Sequence, residues 1–333
     1  MRIILGVLLV MVVLIVGAWL KLRGPDIPFE ALEAKYAGAH SHFVDLPGGY
    51  HVHYRDEGDP ALPLLVLLHG FGDSFTAWEG WVRVLKTQFH IMSVDFPGHG
   101  LTRAPQGSQL NAEALADFVD AFATTLELPT FAVAGNSMGG GAAWQLAVRH
   151  PQRVNALILV DAAGFPNDKP PGAVPLAFKI LRYPIGRTLL SKIDSRPLIE
   201  EGLKTDVYDK SLITPLVVDR WSEFQRAPGH RQILMGINMG SPANTAELLA
   251  TIKVPTLILW GENDPLIEPN AAKKFAAAIR ASQVIMYPHV GHLPQLEIPD
   301  RSASDAAAFL EAHEGVKQPA AVSSAHAARL LRQ

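Results

Sequence analysis

The sequence predicts an α/β protein whose central sheet is mostly parallel and is covered by helices on both faces. Short aliphatic runs such as Leu64–Leu68 and Val154–Val160 are typical of strands buried on both faces of a parallel sheet. Segments with helical spacing, such as residues 111–126, separate these runs, and this alternation favours a parallel sheet. A Pro-Gly-Gly turn at residues 47–49 predicts an antiparallel hairpin at one edge.

The predicted elements follow one another in order along the chain. The predicted strands are residues 42–46, 51–55, 64–68, 91–94, 130–134, 154–160, 254–259 and 283–286. The predicted helices are residues 30–36, 111–126, 140–150, 270–279 and 299–311. Asn111 is expected to cap its helix, because its side chain can accept a hydrogen bond from an N–H group of the first turn.

The alternation of strands and helices stops between about residues 163 and 243. This stretch is rich in proline and is predicted to form short helices. Because it lies between two core strands, we interpret it as a helical cap on a single domain that spans residues 41–312. A polar linker at residues 24–40 precedes this domain, and a flexible tail at residues 313–333 follows it.

The N-terminal segment contains 18 consecutive apolar residues, 3–20, with basic residues on both sides. At a rise of about 1.5 Å per residue, such a helix would be about 27 Å long, enough to cross a bilayer core. Trp19 would lie at the interface. We therefore expect residues 1–23 to form a single-pass membrane anchor. The alternatives are a secretory signal cleaved near residues 16–18, which would leave the protein secreted or periplasmic, and a buried core helix.

Composition excludes several classes of protein. Of the 333 residues, 48% are hydrophobic, so the chain can bury a sizeable core. The formal net charge of −3 gives no basic surface for nucleic acid, and the absence of cysteine excludes disulfides and thiolate metal sites. No H-E-x-x-H pattern is present, and the Gly139-Gly140-Gly141 run lacks the lysine of a P-loop. We expect neither a metal nor a cofactor.

One pentapeptide, Gly135-Asn136-Ser137-Met138-Gly139, lies between a predicted strand and a predicted helix. A Gly-x-Ser-x-Gly sequence in that context places the serine at the tip of a sharp, strained turn. The N-terminus of the following helix favours negative charge that develops nearby. Ser137 is therefore a candidate nucleophile.

A serine hydroxyl needs a base, usually a histidine that a carboxylate orients. His292 follows the last predicted strand, and Asp264 follows the strand before it. Such groups gather at the carboxyl ends of the strands in α/β sheets. The sequence thus predicts a catalytic triad of Ser137, Asp264 and His292. The alternative acids are Asp161, Glu262 and Glu297.

Four polar residues close to these motifs are interpreted as structural. His69 is expected to stabilise a turn, and Asp95 and His99 to hold their own loop together. His289 is expected to be a loop residue near the base, without a direct catalytic role.

The chain resembles capped serine hydrolases of the α/β-hydrolase fold superfamily, of the esterase and lipase kind. The resemblance spans about residues 41–312 and is carried by five motifs: His69-Gly70-Phe71-Gly72, Asp95-Phe96-Pro97-Gly98-His99-Gly100, Gly135–Gly139, Gly261–Asp264 and Gly291-His292. It implies an oxyanion hole formed by the backbone N–H groups of Phe71 and Met138. One of these donors follows the nucleophile, and the other lies in the loop after the strand Leu64–Leu68.

From these residues we expect a serine hydrolase that cleaves carboxylic esters through an acyl-enzyme. The aliphatic and aromatic residues of the cap favour a small-molecule substrate of medium size with an apolar part. A serine at the turn argues against dehalogenases and epoxide hydrolases, which resemble this chain but carry an aspartate there.

Three other functions stay open. A carbon–carbon bond hydrolase of ring-cleavage products shares the sequence Gly-Asn-Ser-Met-Gly-Gly, although such enzymes usually have a tryptophan where this chain has Leu293. A cofactor-free haloperoxidase or perhydrolase would use the same triad. A catalytically silent binding protein on a hydrolase scaffold is the non-enzyme alternative, and the complete set of nucleophile, acid and base disfavours it.

Overall fold

The computed structural model describes residues 11–13, 17, 22–168, 176–237 and 244–313. Within these ranges, no helix is both long enough and apolar enough to cross a membrane. Most of the predicted anchor and nearly all of the predicted tail lie outside the described residues, so both stay predictions.

Eight strands form one sheet in the order β1-β2-β4-β3-β5-β6-β7-β8. The strands are β1 (Ser41–Leu46), β2 (Tyr50–Glu57), β3 (Leu64–Leu68), β4 (His90–Val94), β5 (Phe131–Asn136), β6 (Val154–Val160), β7 (Thr256–Gly261) and β8 (Ser282–Tyr287). Five of the seven strand pairings are parallel, and the two pairings of β2 are antiparallel. The mostly parallel sheet with a hairpin at one edge is therefore confirmed.

The described helices pack on the sheet or follow its strands. They are α1 (Phe29–Tyr36), α2 (Glu79–Leu85), α3 (Ala112–Thr125), α4 (Met138–Arg149), α5 (Leu176–Leu181), α6 (Pro184–Leu190), α7 (Arg196–Asp206), α8 (Pro215–Gln225), α9 (His230–Leu234), α10 (Thr245–Leu249), α11 (Asn270–Ala278), α12 (Pro294–Glu297) and α13 (Pro299–Glu311). Short 3₁₀ turns are formed by Phe75–Trp78 and Lys210–Leu212.

Helices cover both faces of the sheet, as the sequence predicts. Alternate residues of β3 enter two different hydrophobic clusters, because successive side chains of a strand point to opposite faces. Leu64, Val66 and Leu68 pack with side chains of α3, α4 and α11. Leu65 and Leu67 pack with side chains of α2 and α13.

The predicted bounds of β3, β6 and α13 match the structure residue for residue. Asn111 caps α3 as expected, since its side chain accepts a hydrogen bond of 2.8 Å from the N–H of Ala114. Helix α2 and the 3₁₀ turn before it are missing from the sequence prediction. Helix α2 has only seven residues, includes Gly80 and buries three of its side chains, so it shows no clear alternation of apolar and polar faces.

Between β6 and β7, the described chain forms helices α5 to α10 and no strand. We call residues 176–237, which contain α5 to α9, the cap. Its helix α7 ends at Asp206, and the N–H of His292 donates a hydrogen bond of 2.7 Å to the carbonyl of that residue. The cap therefore contacts the loop that follows β8.

Strand β5 and helix α4 approach each other very closely around the pentapeptide. A Cβ atom on Gly135 would lie 2.2 Å from the carbonyl oxygen of Gly139, and one on Gly139 would lie 2.2 Å from that of Leu68. A Cβ on Gly140 would lie 2.5 Å from the Cβ of Ala162. The glycine run therefore serves close packing of helix on sheet, as the sequence reasoning favours over a phosphate cradle.

We predict opposite effects for alanine at two adjacent glycines of α4. Gly140→Ala should lower the free energy of unfolding by about 1–3 kcal/mol, because the new methyl group overlaps Ala162. Gly141→Ala should leave stability unchanged or raise it by up to about 1 kcal/mol, because its nearest neighbour would lie 3.4 Å away and alanine favours helix. Urea denaturation of both variants measures the difference, and equal losses would contradict this account.

Candidate active site

Ser137 occupies the turn between β5 and α4. Its backbone has φ 53° and ψ −116°, which lies outside the regions that residues with a side chain normally adopt. The turn is held by hydrogen bonds: the N–H of Ser137 donates to the carbonyl of Val160, and its own carbonyl accepts from the N–H groups of Gly141 and Ala163. Ser137 is also partly exposed, whereas the strand before it is buried.

His292 and Asp264 lie in the loops that follow β8 and β7, and both are buried. The Nδ1 atom of His292 lies 2.7 Å from Oδ2 of Asp264. The other carboxylate oxygen of Asp264 accepts the N–H groups of Leu266 at 2.8 Å and Ile267 at 3.1 Å. The carboxylate is thus fixed on both oxygens. When Nδ1 donates to it, Nε2 of the imidazole is free to accept a proton.

Two hydrogen bonds fix the backbone of His292. The side-chain amide of Asn136, which precedes Ser137, donates to the carbonyl of His292 at 3.1 Å. The N–H of His292 donates to Asp206 of the cap at 2.7 Å. The structure thereby brings the loop of the predicted base to the turn that carries the predicted nucleophile.

The predicted oxyanion donors lie beside the serine. Strands β3 and β5 are adjacent, with Leu68 opposite Gly135, so Phe71 follows β3 next to the turn. A Cβ atom on Gly70 would lie 3.4 Å from the Cβ of Ser137. Met138 is the first residue of α4, where N–H groups have no partner in the helix. Within the described part of the chain, neither the Phe71 nor the Met138 N–H donates to another residue.

The charges around His292 favour its protonated form. Burial alone would lower the pKa of His292, but the carboxylates of Asp264, Asp206 and Glu297 outweigh burial and raise it above the ordinary value of 6.5. His292 therefore holds a proton more firmly than a free imidazole does.

The alternative acids take other positions. Asp161 is fully buried beside Asp264, and its Oδ1 accepts the N–H of Gly261 at 2.9 Å. Burial and the neighbouring Asp264 raise the pKa of Asp161 well above its usual range. Glu262 is exposed, and Glu297 accepts the N–H of Gly291. Among the described residues, Asp264 is the carboxylate that contacts the ring of His292.

Asp161, Asp264 and His292 are also the one group in the described ranges whose potential metal-ligand atoms lie within 4.8 Å of one another. His292 and Asp264 are joined by a hydrogen bond, and the N–H of Gly261 holds Asp161 beside them. A histidine whose Nδ1 is 2.7 Å from a carboxylate oxygen is arranged for proton transfer.

A pocket lined mainly by cap residues, Asp206 among them, extends to Phe71 and Gly72 in the loop after β3. Its walls are mainly apolar side chains: Phe178, Leu181, Leu190, Ile199, Trp221 and Leu234. Arg231 lines the pocket but is already paired, with Nη2 2.5 Å from Asp26 and Nη1 3.3 Å from the carbonyl of Ile193. Oδ1 of Asp206 is buried with no hydrogen-bond partner among the described residues.

Asp206 is the site residue that the sequence reasoning missed. Burial raises its pKa to about 7, with a further increase from Asp264 and an opposing effect of His292. Asp206 is the last residue of α7, a cap helix that carries no motif. No local pattern therefore predicts its backbone contact with His292, which lies 86 positions later. Asn136 does lie in the pentapeptide, but the pattern assigns that position no role.

The structure contains a second arrangement of serine, histidine and aspartate. Nε2 of His53 lies 2.9 Å from Oγ of Ser41, and its Nδ1 lies 2.7 Å from Oδ2 of Asp95. Asp95 also accepts the N–H groups of Phe75 and Leu101, so it holds its own loop as expected. Ser41 begins the regular strand β1, so it lacks the strained turn and helix N-terminus that adjoin Ser137. We interpret this arrangement as structural.

His69, His99 and His289 also occupy structural positions. Nδ1 of His69 lies 2.7 Å from the carbonyl oxygen of Gly70, and its Nε2 accepts the N–H of Phe96. Nδ1 of His99 lies 2.9 Å from the carbonyl oxygen of Pro97, within the same loop. His289 is exposed in the loop after β8.

Comparison with known proteins agrees with the fold. The profile of the alpha/beta hydrolase fold family matches residues 63–299. The chain is 27% identical to Lipase 1 of Psychrobacter immobilis over 276 residues, which cover 80% of this chain and 82% of the lipase. It is also 27% identical, over 267 residues, to the 2-hydroxy-6-oxononadienedioate/2-hydroxy-6-oxononatrienedioate hydrolase of Comamonas testosteroni, covering 75% and 88% of the two chains.

A solved structure of lip1 from Acinetobacter baumannii AYE, named as a candidate lipase, matches with a TM-score of 0.72 and 25% identity. The match covers 87% of this chain and 98% of that one. The chain belongs to the α/β-hydrolase fold family, and its relatives include a lipase and a 2-hydroxy-6-oxononadienedioate/2-hydroxy-6-oxononatrienedioate hydrolase.

We predict that Asp206→Asn changes how stability depends on pH. Between about pH 4 and pH 7, the folded protein keeps a proton on Asp206 that the unfolded chain releases, so stability falls as the pH rises through this window. Asparagine has no such proton. From pH 5 to pH 8, the free energy of unfolding of wild type should therefore fall by about 2 kcal/mol more than that of the variant. This figure allows for partial solvent screening.

Urea denaturation at several pH values measures this difference. Glu311→Gln, which removes an exposed carboxylate at the end of α13, is the matched control and should follow wild type. If the free energies of unfolding of Asp206→Asn and wild type differ by the same amount at every pH from 5 to 8, the raised pKa of Asp206 is contradicted.

Proposed function

We propose that the protein is a serine hydrolase that cleaves carboxylic esters with an apolar part through an acyl-enzyme. The observation that carries the proposal is the fixed pair of His292 and Asp264, held by Asn136 against the strained turn of Ser137. In this proposal Ser137 is the nucleophile, His292 the base and Asp264 the acid.

The reaction begins when Oγ of Ser137 attacks the ester carbonyl carbon and Nε2 of His292 takes the hydroxyl proton. The oxyanion that forms accepts hydrogen bonds from the N–H groups of Phe71 and Met138. The tetrahedral intermediate then loses the alcohol, to which His292 returns the proton. Water attacks the acyl-enzyme, His292 takes a proton from it, and the acid leaves as the proton returns to Ser137.

The pocket supports an uncharged, apolar substrate. Most of its lining side chains are aliphatic or aromatic, and its arginine is paired with Asp26. The unpaired carboxyl of Asp206 would repel a carboxylate in the substrate whenever it is ionised. An uncharged ester with an apolar acyl or alcohol part needs no free cation in the pocket, and Asp206 does not repel it.

Carbon–carbon bond hydrolysis is the second candidate, because the Comamonas relative is named as a hydrolase of dicarboxylates. Two features of this chain disfavour it. The pocket offers no unpaired cation to such an anion among its described residues. Leu293 lies where those enzymes usually have tryptophan, and it packs against Ile199 and Leu203 of the cap.

We predict that Ser137→Ala lowers kcat for p-nitrophenyl esters by about three orders of magnitude or more, because the members of a triad act as a unit. Ser41→Ala is the matched control: this serine also lies within hydrogen-bond distance of a histidine that contacts an aspartate, yet its loss should leave kcat within about threefold of wild type.

Labelling with a fluorophosphonate probe distinguishes the candidates in the same samples. Wild type and Ser41→Ala should be labelled, and Ser137→Ala should not. Loss of activity only in Ser41→Ala would overturn the choice of nucleophile. Labelling of Ser137 without hydrolysis of any ester would favour the carbon–carbon bond hydrolase.

We further predict the pH dependence of kcat/KM. His292 must be unprotonated to act as a base, so activity should rise with pH and reach half its maximum above pH 6.5, because the surrounding carboxylates raise the pKa of His292. Asp206→Asn removes one of these charges and should move the midpoint to lower pH. A midpoint that is unchanged in this variant would show that Asp206 does not act on the base.

A further inference from the structure

The outer face of helices α5 and α6 exposes large apolar side chains to solvent. Leu176 is 47% exposed, Tyr183 65%, Ile185 82% and Leu189 49%. These four residues lie within 14 positions of one another in the sequence. Isolated apolar residues are normal on a protein surface, but a cluster of this kind marks an interaction site.

The same segment is basic, although the whole chain is not. Residues 176–193 contain four basic residues and no acidic one, whereas the net charge of the chain is −3. Lys179, Arg182 and Lys192 are exposed. The surface thus combines apolar side chains, a tyrosine and positive charge, which is the composition of segments that lie in the interface of an anionic bilayer.

The N-terminal part of the chain meets the structure at this surface. The N–H of Asp194 donates to the carbonyl of Leu22 at 2.7 Å. The N–H of Gly24 donates to the carbonyl of Lys192 at 3.2 Å. Arg23 and Ile193 form an antiparallel bridge between these bonds. Leu22, which is 55% exposed, is preceded almost directly by the apolar run of residues 3–20. This run therefore joins the domain beside the exposed face.

The inner face of the same two helices lines the pocket. Ala177, Phe178 and Leu181 of α5 and Leu190 of α6 are pocket residues, and they lie in the same segment as the exposed ones. Only one layer of helix separates the pocket from the outer surface.

We propose that Leu22, Leu176, Tyr183, Ile185 and Leu189 form a docking surface for an anionic lipid bilayer, with the cap resting in the interfacial region. Its basic residues meet lipid phosphates, and its apolar residues enter the region between headgroups and acyl chains. The pocket wall then lies at the membrane, so the ester reaches the site from the lipid phase. This last step rests on the proposed function, whereas docking itself does not.

The first experiment places an environment-sensitive fluorophore on the surface of the full-length chain. Because the chain has no cysteine, Ile185→Cys gives a single labelling site. In vesicles of phosphatidylcholine and phosphatidylglycerol, the probe emission should shift to the blue and be quenched by lipids that carry a doxyl group near the headgroup. The matched control is Ser304→Cys, on an exposed position of α13, whose probe should stay in water.

Two results would overturn the proposal. A probe at position 185 that stays in water shows that the cap does not touch the bilayer. A blue shift without quenching by lipid shows that protein covers the surface, either a second copy or the apolar run of the same chain.

The second experiment separates docking from catalysis. In the full-length chain, Ile185→Glu combined with Leu189→Glu should lower hydrolysis of an ester embedded in vesicles at least tenfold, because two side chains lose their apolar environment. Hydrolysis of water-soluble p-nitrophenyl butyrate should be unchanged. Val284→Glu, which alters an exposed apolar residue of β8, is the control and should change neither rate.

Equal loss on both substrates, or no loss on either, would contradict the proposal. If wild type hydrolyses neither ester while the probe at position 185 still enters lipid, the proposed function fails and the docking surface stands.

Discussion

The geometry of the candidate site depends on one close approach of main chain to main chain, where β5 turns into α4. At Gly135 and Gly139 a methyl group would overlap a carbonyl group, and at Gly140 it would overlap Ala162. Because nothing larger than hydrogen fits at these positions, α4 can start directly after β5, and its first N–H groups have no partner within the helix. The strained conformation of Ser137 is the consequence of this approach, and the core around it is rigid enough to maintain it.

The cap takes part in the site as well as covering it. Asp206 accepts the N–H of His292, Glu297 joins Gly291 to the backbone of Tyr208, and a Cβ on Gly291 would lie 2.3 Å from the carbonyl oxygen of Asp206. The position of the histidine is therefore set jointly by the sheet and by the cap. Buried carboxyl groups gather at the same place, and their combined charge raises the pKa of His292. A base in this environment holds a proton more firmly than a free imidazole and can stay charged while the oxyanion exists.

The sequence predicts those parts of the structure whose signals are local. Strand β3 is aliphatic throughout and β6 is so except at Asn155, and the loops after β7 and β8 bear Asp264 and His292 at places where a parallel sheet gathers its polar groups. Helix α2 escapes prediction because it is short and mostly buried. Asp206 escapes prediction because its role arises from the docking of a cap helix on a distant loop, and that contact leaves no pattern in the residues around it. The oxyanion donors are predicted only through a resemblance, since any residue type can supply a backbone N–H.

The presence of two arrangements of serine, histidine and aspartate shows why residue identity alone does not define such a site. In both, a histidine lies within hydrogen-bond distance of an aspartate through Nδ1. Ser41, however, lies in a regular strand, its oxygen also accepts the N–H of Gly38, and its histidine is fully buried. Attack on a carbonyl needs a serine oxygen that the substrate can reach and N–H donors that await the resulting charge. Among the described residues, Ser137 lies beside the N–H groups of Phe71 and Met138, which donate to no other residue, and Phe71 also lines the pocket.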